Sequence, residues 1–510
     1  MIGRQPSRTR TRWERPAWRI GGFIALLAIL FIVLLARLIS VQLIHGESYR
    51  AAAKANQIRL IPVAAPRGII YDRNGKVLVR SRPSFVVGLI PSEVTDITGE
   101  LTTLARTLGV SRASLTQRLL HHNGVNYVDF DQVVTYEPYG PVQLARDISI
   151  AKVARLSELL SDLPGVDLEV QPLRDYPYGP LGSHVFGYVG QITADEYKRL
   201  RSAGYSPNDV IGKDGLEYTY DRYLRGVPGG QRVVVDASGG VVPNSKLPAK
   251  AATPGDTLVT TIDWRLQTIV ERALAREIKT LGGHDDGAVV VEDPWTGGIL
   301  ALASYPNFNP NDFASDSSKR VAYDLTDASL PLFDRAIAAA NPTGSTFKMV
   351  TGSAALTEHV IGPTQVVYDS GAWDCGGYIA HDIASGGLGD TTFVPALAAS
   401  SDAYFWRLSS GLGNARLRKW ALLFGLAKKS GIDLPGENPG NWPTNASMMK
   451  TAGVPLEPAD ACFLGIGQGA MQATPLQIVN VASTVINGGT LYQPQVVRQI
   501  RTPSGAVIKT

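Results

Sequence analysis

An uncharged apolar run near the start of the chain, Ile20 to Ala36, restricts the fold more than any other sequence feature. Its seventeen residues approach the roughly 20 that a helix needs to cross a bilayer, and the segment from Leu38 to Ile44 extends it if Arg37 reaches the interface. Six arginines and one glutamate crowd into the first nineteen residues. By the positive-inside rule this tail stays in the cytoplasm, and the chain after residue 45 is expected on the other side of the membrane.

A cleaved signal peptide and a buried core helix are the two alternatives to an anchor. No small-x-small cleavage site follows the apolar run, because Arg37, Gln42 and His45 stand there instead. The asymmetry of charge also favours an anchor. We therefore predict a cytoplasmic basic tail over residues 1–19 and an uncleaved transmembrane anchor over residues 20–44.

The length and composition indicate a folded, multidomain protein. A chain of 510 residues exceeds what one hydrophobic core usually holds. The net charge of +4 is small and is concentrated in the tail, so we expect no nucleic-acid partner. No Cys/His cluster has metal-ligand spacing, and we predict neither a metal nor another cofactor.

The two cysteines, Cys375 and Cys462, leave two alternatives open. A single disulfide can form in an oxidising compartment, whereas two unpaired buried thiols are the simpler arrangement. We favour the unpaired thiols.

The segment after the anchor reads as a mixed α+β module. Apolar runs on either side of the turn at residues 72–75 predict a β-hairpin. Helical periodicity is predicted over residues 100–108, 113–120 and 142–160, with a strand over 127–134, and residues 166–250 are predicted to be loops and short strands. Further on, residues 257–262 predict a strand followed by a helix, and a second hairpin surrounds Pro294 to Gly297.

The stretch NPTGSTFKMVTGSAAL, beginning at Asn341, raises a chemical question. Ser345 and Lys348 are three residues apart on a predicted helix, so the hydroxyl and the amine can face each other. The positive end of the helix dipole and apolar neighbours disfavour the charged ammonium. A neutral amine can accept the serine proton, which is the arrangement that nucleophilic catalysis needs.

The S-x-x-K pattern on its own also fits a capping serine beside a lysine on the surface. Known serine acyl-transfer sets add a second serine followed two residues later by Asn or Asp. Ser400-Ser401-Asp402, downstream, fits that element. An alternative is that Ser401 caps a helix while Asp402 pairs with an arginine.

In these motifs the chain resembles the class B penicillin-binding proteins over nearly its whole length, and it looks more like their elongation type than their division type. The segments that carry the resemblance are, in order, PRGIIYDRNG, YPYG, SHVFGYVG, IGKDGLEYTYDRYLRG, GDTLVTTIDWRLQ, SYPNFNPN, GSTFK, SGIDLPGE and GIGQGAMQATPLQ. The resemblance implies an α+β multidomain fold with a pedestal or dimerisation-type domain over residues 45–250 and a transpeptidase domain over 251–510, an antiparallel sheet with helices packed on it.

The resemblance also implies a membrane-anchored peptidoglycan D,D-transpeptidase with a serine acyl-enzyme. Ser345 would be the nucleophile and Lys348 the base, with Ser400 relaying a proton and Asp402 holding Lys348 or the substrate amide. The implied substrate-binding residues are Ser401, Thr346, Gly467, Gln468 and Gly469. The implied partners are peptidoglycan stem peptides, β-lactams, the membrane and a polytopic glycan polymerase. Asp402 departs from the commoner Asn.

The family's third element, Lys-Thr-Gly on a strand beside the site, is not found. The nearest sequence, Lys450 to Gly453, has an inserted residue and precedes GIGQG. We therefore expect a transpeptidase domain lacking its C-terminal strands and helix, with an unpaired central strand. Either the sequence is a clipped piece of a complete enzyme, which we favour, or it is a catalytically incomplete partner of a glycan polymerase. His184 and Arg174 are expected to be structural.

Overall fold

The structure is a computed structural model that describes residues 17–45, 47, 58–122, 125–138, 140–207, 209–234, 247–282, 286–315, 318–383 and 386–510. The chain divides into two compact units. One comprises Met1–Pro62 with Gly230–Lys250, and the other comprises Val63–Gly229 with Ala251–Thr510.

The helices and strands are numbered here in chain order. The helices are α1 Ala17–Ile39, α2 Ile97–Leu108, α3 Arg112–Leu120, α4 Phe130–Tyr136, α5 Ile150–Leu159, α6 Ser183–Phe186, α7 Ala194–Leu200, α8 Gly215–Thr219, α9 Asp221–Leu224, α10 Trp264–Thr280, α11 Pro310–Ala314, α12 Ser318–Thr326, α13 Arg335–Ala338, α14 Lys348–Thr357, α15 Phe393–Ala398, α16 Asp402–Leu423, α17 Asn445–Thr451, α18 Asp460–Gly465 and α19 Pro475–Ile486. The strands are β1 Ile58–Val63, β2 Ile70–Tyr71, β3 Val77–Leu89, β4 His121–His122, β5 Val125–Asn126, β6 Val142–Ile148, β7 Val166–Asp175, β8 Val189–Gln191, β9 Val210–Gly212, β10 Gly229–Val234, β11 Leu247–Lys250, β12 Thr257–Thr260, β13 Gly287–Glu292, β14 Ile299–Tyr305, β15 Val367–Asp369, β16 Ala372–Asp374, β17 Ile379–His381, β18 Gly389–Thr391, β19 Val497–Arg501 and β20 Val507–Lys509.

The first unit contains the apolar helix and a small sheet. Helix α1 continues through a π-helical turn over Ser40–Ile44. Within this segment Gly22–Gln42 is long and apolar enough to cross a membrane, with a mean hydropathy of 2.9. Strands β1, β10 and β11 form the three-stranded sheet.

The second unit begins with a sheet centred on β3, which is hydrogen-bonded to β6 on one side and β7 on the other. Helices α2, α3 and α5 cover it and bury a cluster that includes Leu89, Leu104, Leu115, Leu144 and Leu156. The predicted hairpin at residues 72–75 is confirmed, because β2 and β3 pair across that turn.

Three local predictions in this module are wrong. Residues 142–148 are a strand rather than part of a helix, because they pair with an otherwise open edge of β3. Residues 130–136 are helical rather than extended, because the Asp129 side chain caps the helix by accepting a hydrogen bond from Gln132 N. Residues 166–175, predicted to be loop and short strand, form the ten-residue strand β7. Pairing with a distant strand overrides local pattern in the first and third cases.

A single sheet joins segments from both sides of residue 250. Strand β12 pairs in parallel with β2 and antiparallel with β19, which in turn pairs with β20. The resulting order is β20-β19-β12-β2-β3-β6. Strand pairing is therefore continuous across the boundary that the sequence suggested.

Buried charges connect the PRGIIYDRNG and IGKDGLE segments within this unit. The Glu217 carboxylate, which is fully buried, accepts hydrogen bonds from Arg67 and Arg174, and Arg67 also pairs with Asp221. Burial by itself raises the pKa of Glu217, but the two guanidinium groups outweigh it and lower that pKa. The structural role predicted for Arg174 is confirmed.

The second predicted hairpin, β13–β14, is also confirmed and is antiparallel. Within the described part of the chain, neither of its strands pairs with a third. Helix α10 packs on β14 and α19 on β13. Beside this hairpin, helices α14, α16 and α18 pack around a core that includes Phe347, Val350, Phe405, Leu408 and Leu464.

Candidate active site

Ser345 lies in the first turn of a helix, as predicted. Gly344–Phe347 form one turn of 3-10 helix, and α14 continues from Lys348. Thr343 occupies the cap position without a side-chain capping bond. N–H groups in a first helical turn have no acceptor within the helix, so the Ser345 N–H has no partner in its own helix.

The GIGQG segment holds the loop before Ser345 in place. Gly344 N donates a 2.8 Å hydrogen bond to Gly467 O. A Cβ atom on Gly467 would lie 2.1 Å from Gly344 O, and its φ of +73° also favours glycine. The segment is itself tied back by a bond from Gln468 N to Phe463 O. Gly467 thus sets the position of the serine loop through its backbone.

Lys348 is 1% exposed and extends toward the Ser400 turn. Its Nζ donates to Asp402 Oδ1 at 2.5 Å, to Ser400 O at 2.6 Å and to Ser400 Oγ at 3.2 Å. Among the described residues it has no hydrogen bond to Ser345 Oγ, which was the contact predicted from the spacing. Lys348 is therefore bonded to the Ser400-Ser401-Asp402 turn, and Ser345 lies on the same helical face as Lys348.

The Ser400-Ser401-Asp402 turn has an unusual backbone. Ser400 has a φ of +58°, a conformation that few residues other than glycine adopt. Ser401 caps α16 by accepting a hydrogen bond from Tyr404 N at 3.1 Å, as the alternative interpretation proposed. Among the described residues, the ion-pair partner of Asp402 is Lys348 and not an arginine.

Two further aspartates, not singled out in the sequence, support this turn. Ser401 Oγ donates to Asp369 Oδ2 at 2.7 Å, and Asp402 N donates to Asp382 Oδ2 at 2.8 Å. Asp369 is 3% exposed and Ser401 is 4% exposed. No local pattern marks these aspartates, since both contacts depend on the fold.

The residues expected to bind substrate differ in their exposure. Thr346 is exposed and its hydroxyl donates to Thr343 O. Gln468 and Gly469 are exposed as well, on the surface beside the Ser345 turn. Ser401 is buried, and its hydroxyl donates to Asp369 and accepts from Tyr404 N. A contact between Ser401 and substrate stays a prediction.

The preference for unpaired thiols is wrong. Cys375 and Cys462 form a disulfide bond that links residues 87 positions apart. Both are 1% exposed, and the bridge joins the loop after β16 to α18. Their proximity could not be predicted from the sequence, because 87 positions separate the two cysteines. Among the described residues, no group of three or more His, Cys, Asp or Glu side chains could hold a metal ion.

Family models match this architecture in two parts. The Penicillin-binding Protein dimerisation domain matches residues 62–260, and the Penicillin binding protein transpeptidase domain matches residues 287–509. The peptidoglycan D,D-transpeptidase MrdA of Acinetobacter baumannii is 31% identical over 483 residues, covering 94% of this chain and 69% of that protein. The chain belongs to the penicillin-binding proteins.

Other similar proteins agree with this assignment. MrdA of Escherichia coli K12 is 32% identical to this penicillin-binding protein over 485 residues, covering 92% of this chain and 72% of that one. PBP2 of Helicobacter pylori, solved in complex with MreC, superposes with a TM-score of 0.70 at 25% identity, over 86% of this chain and 78% of that one. A chain of a peptidoglycan synthase complex superposes with a TM-score of 0.64 at 28% identity, covering 96% and 82%.

Proposed function

We propose that this penicillin-binding protein is a membrane-anchored peptidoglycan D,D-transpeptidase in which Ser345 forms the acyl-enzyme. The observation that carries the proposal is the buried Lys348 amine, held by Ser400 and Asp402 on the helical face that Ser345 shares. A buried lysine is costly unless it has a chemical or pairing role. The substrate class follows from the curated relatives, whose names specify peptidoglycan D,D-transpeptidation.

The first step is attack on the penultimate D-alanine of a stem peptide. Lys348, which is ion-paired with Asp402 in the structure, first releases a proton to solvent, and its amine then accepts the proton of Ser345 Oγ as that oxygen bonds to the carbonyl carbon. The ammonium formed is balanced by Asp402, whose Oδ1 already accepts from Nζ. The amide C–N bond then breaks, and the departing D-alanine amine receives a proton from Ser400 Oγ, which Lys348 replenishes.

Backbone N–H groups at the head of the helix contribute to both steps. The Ser345 N–H lies in the first turn, where no intrahelical acceptor competes for it. It is therefore positioned to donate to the oxyanion, a contribution worth roughly 2.7 to 4 kcal/mol of barrier for each such donor. In the second step an amine of a neighbouring stem peptide attacks the acyl ester and forms the peptide cross-link, and the bond to Ser345 Oγ breaks. The proton that the amine loses passes through Lys348 to the departing Ser345 Oγ.

The same geometry supports acylation by β-lactams. A β-lactam presents a carbonyl carbon to Ser345 as the stem peptide does, and opening its ring leaves the acyl group on the serine. Thr346, Gln468 and Gly469 are exposed beside this turn. We include them among the residues that contact the substrate, while Gly467 acts through the serine loop.

The membrane topology is part of the proposal. The span Gly22–Gln42 anchors the chain, with the arginine-rich tail in the cytoplasm. The disulfide between Cys375 and Cys462 supports an extracytoplasmic location for the second unit, because such bonds persist in oxidising compartments.

We further propose that the protein acts with a polytopic glycan polymerase. The support is the likeness to a chain in a structure titled for the coordination of polymerization and crosslinking by a peptidoglycan synthase complex. The likeness to PBP2 in complex with MreC shows that a related chain binds a protein partner.

Labelling the full chain with a fluorescent penicillin, followed by peptide mapping, tests the catalytic assignment. The adduct is expected on Ser345, and Ser345→Ala should abolish it. Ser353→Ala is a matched control, because Ser353 lies on the same helix and its hydroxyl donates to Met349 O within that helix. An adduct on another residue, or no adduct on the unaltered chain, contradicts the proposal.

A further inference from the structure

A pocket in the second unit lies where three strands of the large sheet meet the turn after β19. Its volume is about 430 Å³. The residues that line it and matter here are Tyr71, Arg73, Thr257, Val259, Arg498 and Arg501. It unites the PRGIIYDRNG segment, which the catalytic proposal leaves without a role, with the end of the described chain.

A β-bulge brings the second arginine to this pocket. Between β12 and β19, Val259 pairs with Gln499 but Thr260 pairs with Val497, so Arg498 is the extra residue on its strand. Bulges turn a side chain away from the direction that regular alternation would give it. Arg498 therefore lines the same pocket as Arg501. In a regular strand these two residues, three positions apart, would lie on opposite faces of the sheet.

The pocket carries three positive charges. Among the residues that the structure describes, no carboxylate forms an ion pair with Arg73, Arg498 or Arg501. Arg501 donates from Nε and Nη2 to the neutral Gln499 Oε1. The nearest acid in sequence to Arg73, Asp72, is 3% exposed and accepts from the backbone N–H groups of Asn74 and Lys76. Three guanidinium groups thus face one concavity.

Another basic cleft on this protein provides a contrast. It is lined by Arg272, Arg276 and Lys279, all of which belong to the single helix α10. Arg276 there lies 3.5 Å from Glu277. That cleft is an ordinary solvated helix face, whereas the pocket of Arg73, Arg498 and Arg501 is assembled from three separate segments.

We propose that the pocket of Arg73, Arg498 and Arg501 binds a phosphate or diphosphate group. The planar fork of arginine matches the oxygens of such groups. Three positive charges suit a multiply charged phosphate better than a single carboxylate. The hydroxyl-bearing residues Tyr71 and Thr257 line the same space and offer additional donors. The phosphate can come from a lipid headgroup or from a ligand in solution.

The experiment is a calorimetric titration of the full chain, reconstituted in phosphatidylcholine nanodiscs, with inorganic pyrophosphate. Saturable binding is expected, and added salt should weaken it. The double variant Arg498→Gln with Arg501→Gln should bind at least about tenfold more weakly. Arg272→Gln with Arg276→Gln makes the same change of charge on α10 and should alter the affinity by less than about twofold. Thermal melting verifies that each variant is folded.

Two more measurements sharpen the result. Replacing Arg498 and Arg501 by lysine keeps the charge but removes the forks, so an intermediate affinity is expected. In nanodiscs that contain phosphatidylglycerol, a fall in the apparent affinity for pyrophosphate identifies headgroups as occupants, and an unchanged affinity identifies a soluble ligand. No saturable binding up to about 10 mM pyrophosphate, or equal weakening by the α10 variant, overturns the proposal. Penicillin labelling of Ser345 is measured separately, so its failure is distinguishable.

Discussion

Lys348 Nζ and Asp402 Oδ1 lie 2.5 Å apart, although 54 residues separate them in sequence. The lysine is 1% exposed and the aspartate side chain 17% exposed. This pair connects the helix that carries Ser345 with the turn that carries Ser400. The Ser400-Ser401-Asp402 turn therefore contributes a negative charge from Asp402 as well as the hydroxyl of Ser400.

Replacing Asp402 by alanine and by asparagine should separate the effect of its negative charge from that of its acceptor oxygen. Asp402→Ala removes the acceptor for Lys348 and is expected to slow acylation of Ser345 by about 10²- to 10⁴-fold, the usual range for loss of acid-base assistance. Asp402→Asn retains an oxygen acceptor and should be much less impaired. Stopped-flow acylation by a penicillin measures both. Equal rates for the alanine variant and the unaltered protein would remove Asp402 from the mechanism.

Asp369 is expected to act as a positioning residue. It accepts the Ser401 hydroxyl at 2.7 Å and thereby holds the turn in which Ser400 has a φ of +58°. Asp369→Asn should lower the maximal acylation rate by about tenfold or more with little change in the concentration for half-maximal rate. Asp374→Asn, an exposed aspartate nearby, is the matched control. If Asp369→Asn lowers the stability but leaves the maximal acylation rate unchanged, Asp369 is not a positioning residue.

Gly467 should tolerate no side chain. Gly467→Ala places a methyl group within 2.1 Å of Gly344 O at a φ of +73°, so the serine loop must move and acylation should fall sharply. Gly453→Ala has a similar φ of +74° but open space around it. The control isolates backbone strain, which alone costs about 1 kcal/mol. Similar acylation rates for both variants would show that the contact with Gly344 is unimportant.

The disulfide should stabilise the second unit. Closing a loop across 87 residues restricts the unfolded chain, and about 2–4 kcal/mol of stability is expected. Melting temperatures of the oxidised chain and of the chain with Cys375→Ser and Cys462→Ser measure it. Reducing agent should lower the melting temperature of the first and leave the second unchanged. Thiol labelling of the denatured, unreduced chain at both positions would show that the bond does not form.

His184 predicts a dependence of stability on pH. Burial lowers its pKa from 6.5 to about 4, although Nε2–H donates to Pro331 O. As pH falls from 6.5 to 4 the unfolded state takes up a proton that the folded state does not, so stability falls by up to about 3 kcal/mol. Asp334, whose pKa burial raises to about 7, changes stability in the opposite direction.

The comparison that isolates His184 therefore uses variants. His184→Asn keeps a donor for Pro331 O and should melt with a weaker pH dependence than the unaltered chain between pH 6.5 and 4. His381→Asn, at an exposed histidine, should leave that dependence unchanged. Parallel melting curves for all three proteins would contradict the assignment.

The elements that were predicted correctly are those specified by neighbouring residues. The apolar helix depends on a continuous run of side chains, and the two hairpins depend on turn residues between adjacent β-rich segments. The start of a helix at Ser345 depends on the punctuation of Asn341 to Gly344. The errors lie where a distant segment decides, as in residues 142–148, which pair with β3.

The sequence by itself therefore determined the long apolar helix, the hairpins and the placement of Ser345 and Lys348 on one helical turn, because these depend on local periodicity and turn chemistry. Only the tertiary structure decided that Asp402 receives the lysine, that Asp369 and Asp382 support the Ser400 turn, and that Cys375 meets Cys462. Each of these contacts joins segments that are brought together by burial of the shared core, a global property that no short stretch of residues encodes.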